Sequence, residues 1–341
     1  MLPNTAWINL TYNCNLRCSW CYGKGTWGKD GTMPFSHVKE LLSNLKVIGC
    51  EKIVLIGGEP TLHPEIIKIL SECREQRLKV SLVSNGLYFA NNTFCENALT
   101  AGGNGLDVTL SMATFPAGTN ENRTFKKFEQ GFHNLRQHGQ NPNITVVISS
   151  TSISHLSDVF FWLAENEIDN VSFSVGVPSI TLDKVDGTHT VNPQEIGKIV
   201  LKLFRAGQVL GIKTSFRNVP LCVLPRIDAE ELVTYGAIHN SCGIPNEKNI
   251  LFNVNRELIT CNHLEGNSLC QWEVLKETIN RNDFESFWNS RKMLASRNLF
   301  PKFPSNLCKN CDMWNDCNGG GCPITWTHYN SQDYVNGWNK A

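Results

Sequence analysis

Residues 6–21, AWINLTYNCNLRCSWC, set a short apolar segment directly against a loop of three cysteines. Ala6 to Thr11 reads as a strand. Cys14, Cys18 and Cys21 follow at C-x3-C-x2-C, so three thiols share one loop at a strand's C-terminal end. Beyond the loop, Val38, Leu41, Leu42 and Leu45 recur at helical spacing, which predicts a helix over Phe35 to Ile48 with Pro34-Phe35-Ser36 as its start. The apolar run Lys52 to Ile56, a Gly-Gly turn and a helix from Pro64 to Gln76 complete one strand-helix unit, with Ile66, Ile67, Ile69 and Leu70 as the helix's buried face.

The alternation continues. Strands are expected at Lys79 to Ser84, Leu106 to Ser111, Ile144 to Ser149 and Asn170 to Val175. Helices are expected near Phe94 to Thr100, Phe125 to His138 and Leu156 to Glu165. Six strands alternating with helices imply an α/β fold, a parallel sheet with helices outside, and six units fit an incomplete TIM-like (β/α)6 barrel. Active-site residues then belong at strand C-termini. After a helix at Pro193 to Leu210 the rhythm is expected to stop, which places a domain change near Gly211: 1–211 as barrel core, 212–341 as a loop-rich domain.

The chain has 341 residues, no net formal charge, 41% hydrophobic and 18% charged residues. That composition suits a packed core and excludes a disordered tail. No apolar stretch is long enough for a membrane span. Basic residues do not cluster beyond Lys126-Lys127, which argues against nucleic acid as a partner. Met1 to Thr11 carries no signal-peptide pattern, so a cytoplasmic location is expected.

Fourteen cysteines in a chain without a signal peptide point to metal–thiolate ligation rather than disulfides. An iron–sulfur cube held by only three thiolates, as Cys14, Cys18 and Cys21 would hold one, leaves one iron free to bind a cofactor directly. A zinc knuckle is the competing use of the loop. Eight cysteines lie after Gly211, at 222, 242, 261, 270, 308, 311, 317 and 322. Four of them follow the regular C-x2-C-x5-C-x4-C run of Cys308, Cys311, Cys317 and Cys322, for which a zinc ribbon is the alternative. Cys50, Cys73, Cys95 and Cys270 fall outside any spacing and read as small buried hydrophobes. The nine histidines show no ligand-like pairing.

The C-x3-C-x2-C loop, with Trp20 before its last cysteine, resembles that of the radical S-adenosylmethionine (SAM) enzymes. The resemblance implies a catalytic 4Fe-4S cluster on Cys14, Cys18 and Cys21, and reductive cleavage of SAM to a 5'-deoxyadenosyl radical that abstracts a substrate hydrogen. It assigns Gly57, Gly58, Glu59 and Pro60, the GGEP after the second strand, to the methionyl amine. Ser84, Asn85 and Ser111 at later strand ends are implied for the ribose and carboxylate, and Arg123 for the carboxylate. Where relatives often carry an asparagine, the chain reads Ser150-Thr151-Ser152.

The tail resembles the SPASM auxiliary-cluster domain of peptide-modifying radical SAM enzymes, which implies one or two further 4Fe-4S clusters. Arg256 stands where a glycine is usual, the last spacing is x4, and no cysteine follows Cys322. By resemblance, Cys242, Cys261 and Cys322 hold the first auxiliary cluster, with Cys222 as its extra ligand. Cys308, Cys311 and Cys317 hold a second without its usual fourth cysteine, leaving an open iron or a ligand such as Asp333 or His328. The implied function is crosslinking or oxidation of a peptide or protein, served by a low-potential flavodoxin- or ferredoxin-type donor. With Cys14 so near residue 1, a separate leader-peptide-binding protein is expected. A sugar or aminocyclitol dehydrogenase or epimerase is the small-molecule alternative, and a non-catalytic iron–sulfur or zinc scaffold the third class.

Overall fold

The computed structural model describes residues 2–116, 123–181, 185–242, 248–265, 268–271 and 280–328, side chains excepted at 326–328. The strands are β1 Thr5–Asn9, β2 Lys52–Ile56, β3 Lys79–Ser84, β4 Leu106–Met112, β5 Asn143–Ile148 and β6 Asn170–Val175. They continue with β7 Ser179–Ile180, β8 Val185–Asp186, β9 Lys213–Arg217, β10 Asn249–Phe252, β11 Glu257–Ile259 and β12 Ser268–Gln271. Between them run α1 Phe35–Val47, α2 Ile66–Glu75, α3 Asn92–Gly102, α4 Arg123–Gln137, α5 Leu156–Glu165, α6 Pro193–Leu210 and α7 Arg226–Thr234.

Ten strands form one sheet in the order β12-β11-β10-β1-β2-β3-β4-β5-β6-β9, and β7 pairs with β8 apart from it. From β10 through β1 to β6 and β9 every pairing is parallel. The helical crossovers bury their apolar faces on this sheet, as Val38, Leu41, Leu42 and Leu45 of α1 do. In α2 the buried face is Ile66, Ile69, Leu70 and Cys73, whereas Ile67, expected inside, is only partly covered.

The alternation does not end at Gly211. Gly211 caps α6 in the left-handed region at φ 71°, and the chain turns straight into β9, which joins the edge of β6. At the other end β10 pairs with β1, so the cysteine-loop strand lies inside the sheet, between β10 and β2. Residues 212 onward therefore extend the sheet at both ends. Of their strands, Lys213–Arg217 has one large apolar residue, Phe216, and Asn249–Phe252 is only four residues long, so neither stands out from loops by periodicity. Among the described residues no helix is long and apolar enough to cross a membrane.

Candidate active site and cysteine sets

β1 ends at Asn9, earlier than its apolar run predicts, because Thr11 bridges to Thr32 and the chain leaves the sheet. The loop that follows is braced by β2's continuation. Gly58 N–H donates to Thr11 O at 2.6 Å and Glu59 N–H to Asn13 O at 2.8 Å. A Cβ at Gly57, whose φ is 149°, would lie 2.5 Å from Thr11 O, and one at Gly58 would lie 2.4 Å from Asn13 O. The two glycines are thus needed for the close approach of the chain's own cysteine loop.

Cys14, Cys18 and Cys21 line a cavity of about 210 Å³ together with Trp20, Gly57, Gly58, Glu59, Ser84, Asn85 and Ser111. Seven of the expected cofactor contacts are therefore brought to one place. Pro60 is buried at the head of the turn Pro60–Leu62, behind that wall. Arg123 is the outlier: it opens α4 as an exposed residue and does not line the cavity.

Glu59 is the buried carboxyl group of the site. Its Oε1 accepts from Thr61 N (3.1 Å), Thr61 Oγ1 (2.6 Å) and Ser84 Oγ (2.8 Å), and its Oε2 from Asn85 N (2.8 Å). Burial pushes its pKa up against the pull of these donors. Ser84 and Asn85 therefore act first on Glu59. Asn85 Nδ2 also donates to Asn15 Oδ1 at 2.7 Å, tying β3 to the cysteine loop. Thr151 Oγ1 reaches the same loop through Ser19 Oγ at 3.0 Å. Ser179 Oγ donates to Cys21 O at 2.8 Å, and Lys24 pairs with Asp186 at 2.7 Å, so the β7–β8 hairpin clamps the loop's far end.

Several cavity residues carried no sequence signal. Tyr12 donates its hydroxyl to Glu265, and Asn9 Nδ2 to Asn262 Oδ1 at 2.9 Å. Both partners come from the turn after Cys261, across 253 residues, a separation no local spacing reveals. Asn262 and Glu265 also line a second cavity of about 280 Å³, which shares Tyr22, Gly23 and Thr26 with the first. His263, on that second wall, has a buried Nδ1 with no hydrogen-bond partner, and burial lowers its pKa to about 4. Its position two residues after Cys261 was the available signal.

The tail thiols sort into two groups. Cys322 has Cys261 and then Cys242 as its thiol neighbours. Cys222 has Cys317, Cys308 and Cys311. The sequence expectation groups Cys222 with Cys242, Cys261 and Cys322, whereas the thiols acting on it most strongly in the structure are those of the Cys308–Cys317 run. The reason is the turn Leu221–Val223, whose Leu221 N–H donates to Cys317 Sγ at 3.3 Å. Asp333 lies outside the described residues, as does the side chain of His328. Arg256 takes the left-handed conformation at φ 60°, which glycine adopts without strain.

Soft sulfur donors in these sets suit iron–sulfur clusters or zinc. Backbone N–H groups point at the sulfurs: Leu16 N to Cys14 Sγ at 3.4 Å, His263 N to Cys261 Sγ at 3.4 Å, and Leu221 N to Cys317 Sγ. Such bonds stabilise a thiolate on a metal. Buried Cys50, by contrast, donates its own S–H to Pro3 O. Burial and mutual repulsion push Cys18 up to about 12, and burial likewise raises Cys322 to about 12. Among the described residues no three His, Cys, Asp or Glu converge as ligands of a single metal ion do. A cubane asks for a wider set, since each thiolate binds its own iron.

Residues 8–163 match the model of the Radical SAM superfamily. Among curated relatives, a probable GTP 3',8-cyclase of Pyrococcus abyssi (strain GE5 / Orsay) is 31% identical over 30% of this chain and 33% of its own length. An S-adenosylmethionine-dependent nucleotide dehydratase of Flammeovirga pacifica is 30% identical over 32% of this chain and 38% of its own. The chain thus spans about a third of the length of these relatives. Among solved structures, native anSMEcpe with bound AdoMet superposes with a TM-score of 0.71 at 18% identity, covering 98% of this chain and 96% of that one. Streptococcus suis SuiB bound to S-adenosylmethionine gives 0.68 at 15%, covering 98% and 76%. At these identities the likeness establishes the fold.

Proposed function

We propose that Cys14, Cys18 and Cys21 hold a 4Fe-4S cluster over the first cavity, that Glu59 receives the methionyl ammonium of SAM there, and that the substrate is a peptide or protein. The observation that carries this reading is the cavity itself: three thiols on one wall and a buried carboxylate on another. When bound, the cluster supplies the electron that cleaves SAM and frees the 5'-deoxyadenosyl radical that takes a substrate hydrogen. The chain's own groups bind and orient. Glu59 Oε2 holds a single hydrogen bond and has acceptor capacity left for an ammonium. An ammonium beside it would restore the charged form that burial disfavours. Trp20, against Phe115 at 5.9 Å, Tyr22 and Trp27 supply apolar walls that keep water out.

The peptide reading rests on charge. Among the described residues lining the two cavities, Lys29 is the only lysine or arginine, and Glu59 and Glu265 are present. A nucleoside triphosphate asks for several cations. Among the structural neighbours, anSMEcpe is bound to a Cp18Cys peptide and SuiB to the precursor peptide SuiA. The second reading, a nucleotide, is favoured by the names of the curated relatives. Two auxiliary 4Fe-4S clusters on the tail thiols, a flavodoxin- or ferredoxin-type donor and a separate peptide-recognition protein complete the proposal.

The test is anaerobic reconstitution followed by SAM, a strong reductant and either a peptide library or GTP and CTP. Deoxyadenosine formation coupled to a mass change in a peptide is expected. Turnover coupled only to a nucleotide would overturn the substrate assignment.

A further inference from the structure

We propose that Cys222 is the fourth ligand of the cluster on Cys308, Cys311 and Cys317, so that the auxiliary cluster short of a cysteine is the one on Cys242, Cys261 and Cys322. This rests on the reading that the tail thiols hold iron–sulfur clusters. It reverses the arithmetic of the sequence, which leaves the Cys308–Cys317 set incomplete.

The turn that carries Cys222 is docked on the 308–321 segment from three sides. Leu221 N–H donates to Cys317 Sγ at 3.3 Å, so the residue next to Cys222 already touches that sulfur. Pro220 presses on the backbone at Gly320, where a Cβ would lie 2.8 Å from Pro220 Cγ and where φ is 81°. At the far end, Arg226 grips Asp312 through both carboxylate oxygens, at 2.9 and 2.8 Å, between Cys311 and Cys317. Behind the turn, a Cβ at Gly197 of α6 would lie 2.0 Å from Val223 O, which leaves the turn no room to retreat. The Cys222 thiol faces Cys317, Cys308 and Cys311 as its thiol neighbours.

Cys322 meanwhile has other thiol neighbours, Cys261 and then Cys242. Gly321, at φ 87°, runs against Ser241, where a Cβ would lie 2.9 Å from Ser241 N, and so brings Cys322 to Cys242 and Cys261. Seven tail thiols thus divide into four and three. Cys261 begins the turn whose Asn262, His263 and Glu265 wall the second cavity, so the cluster with a place for a non-cysteine ligand is the one beside that cavity.

Iron and sulfide analysis with Mössbauer and EPR spectroscopy on the reconstituted full chain tests this, with Cys222→Ala and Cys242→Ala beside the unaltered protein. About twelve irons are expected in the unaltered chain. Cys222→Ala is expected to lose between one iron and a whole cluster and to show a three-iron signal on oxidation. Cys242→Ala should disturb a different cluster spectrum. Should Cys222→Ala be insoluble, mild oxidation of the cluster-free unaltered chain and mapping of its disulfides decides: Cys222 joined to Cys308, Cys311 or Cys317 supports the assignment. Unchanged iron and spectra in Cys222→Ala, or Cys222 joined to Cys242, Cys261 or Cys322, overturns it while leaving the clusters in place. Only about four irons in the unaltered chain overturns the reading beneath it as well.

Discussion

Cys14, Cys18 and Cys21 leave one strand on one short loop, whereas Leu221 beside Cys222 meets Cys317 across 96 residues. The first set is local and part of its scaffold is local too: the next strand's glycines brace it and the next strand's carboxylate lines the same cavity. The second is assembled from the end of the sheet, a turn and a tail segment, each held by its own contact. A site written in one stretch of chain survives only if that stretch keeps its spacing. A site assembled from distant segments tolerates relocation of a ligand, provided the new segment delivers a thiol to the same place.

The largest effect that separates the two regions is on SAM cleavage. Replacing Cys14, Cys18 and Cys21 together by Ala should abolish deoxyadenosine formation, while Cys308→Ala should leave reductant-driven cleavage measurable. Cleavage retained in the triple variant, followed by chromatography, would remove the catalytic role from the local set.

Next in size is the brace. Gly58→Ala forces a Cβ to 2.4 Å from Asn13 O, and the backbone must shift. A loss of about 3 kcal/mol is expected from urea unfolding. A native midpoint would show that the loop does not depend on β2. Glu59→Gln keeps the shape but removes the charge, and SAM binding should weaken by roughly 1 to 3 kcal/mol. Calorimetry giving the same affinity for both proteins would sink the ammonium assignment.

The smallest effect lies in the tail. Arg256, at φ 60°, also pairs with Glu40 at 3.0 Å. Both Arg256→Ala and Arg256→Gly lose the ion pair, but only glycine relaxes the backbone. The glycine variant should therefore be the more stable by about 1 kcal/mol. Equal melting temperatures would show that the turn is unstrained.

Legibility followed the same division. The strand-helix rhythm and the C-x3-C-x2-C loop were readable because periodicity and spacing are local, and Gly57 and Gly58 announced a tight approach without saying to what. The Tyr12–Glu265 contact was invisible, since nothing near either residue encodes the other. Cys222 is a case of the same kind: counting cysteines along the chain groups it with its neighbours in sequence, whereas the turn at Pro220 packs against the left-handed Gly320 beside the Cys308–Cys317 run. Arg123 is legible only as a charged residue at a helix start, and here the helix begins with that side chain in solvent.

The placement of β1 between β2 and β10 has a consequence for how the chain is made. During synthesis β1 and β2 emerge early, but residues 249–252, which cover β1's other edge, arrive only after some two thirds of the polypeptide. Until then the strand carrying the reactive loop is an unpaired edge on a half-built sheet, the kind of surface that invites pairing with another chain. Closing it is a long-range event and therefore slow. Expression at low temperature, with slower translation and ample chaperone, should raise the soluble yield of this chain more than that of a protein whose first strand is sealed by its immediate neighbours.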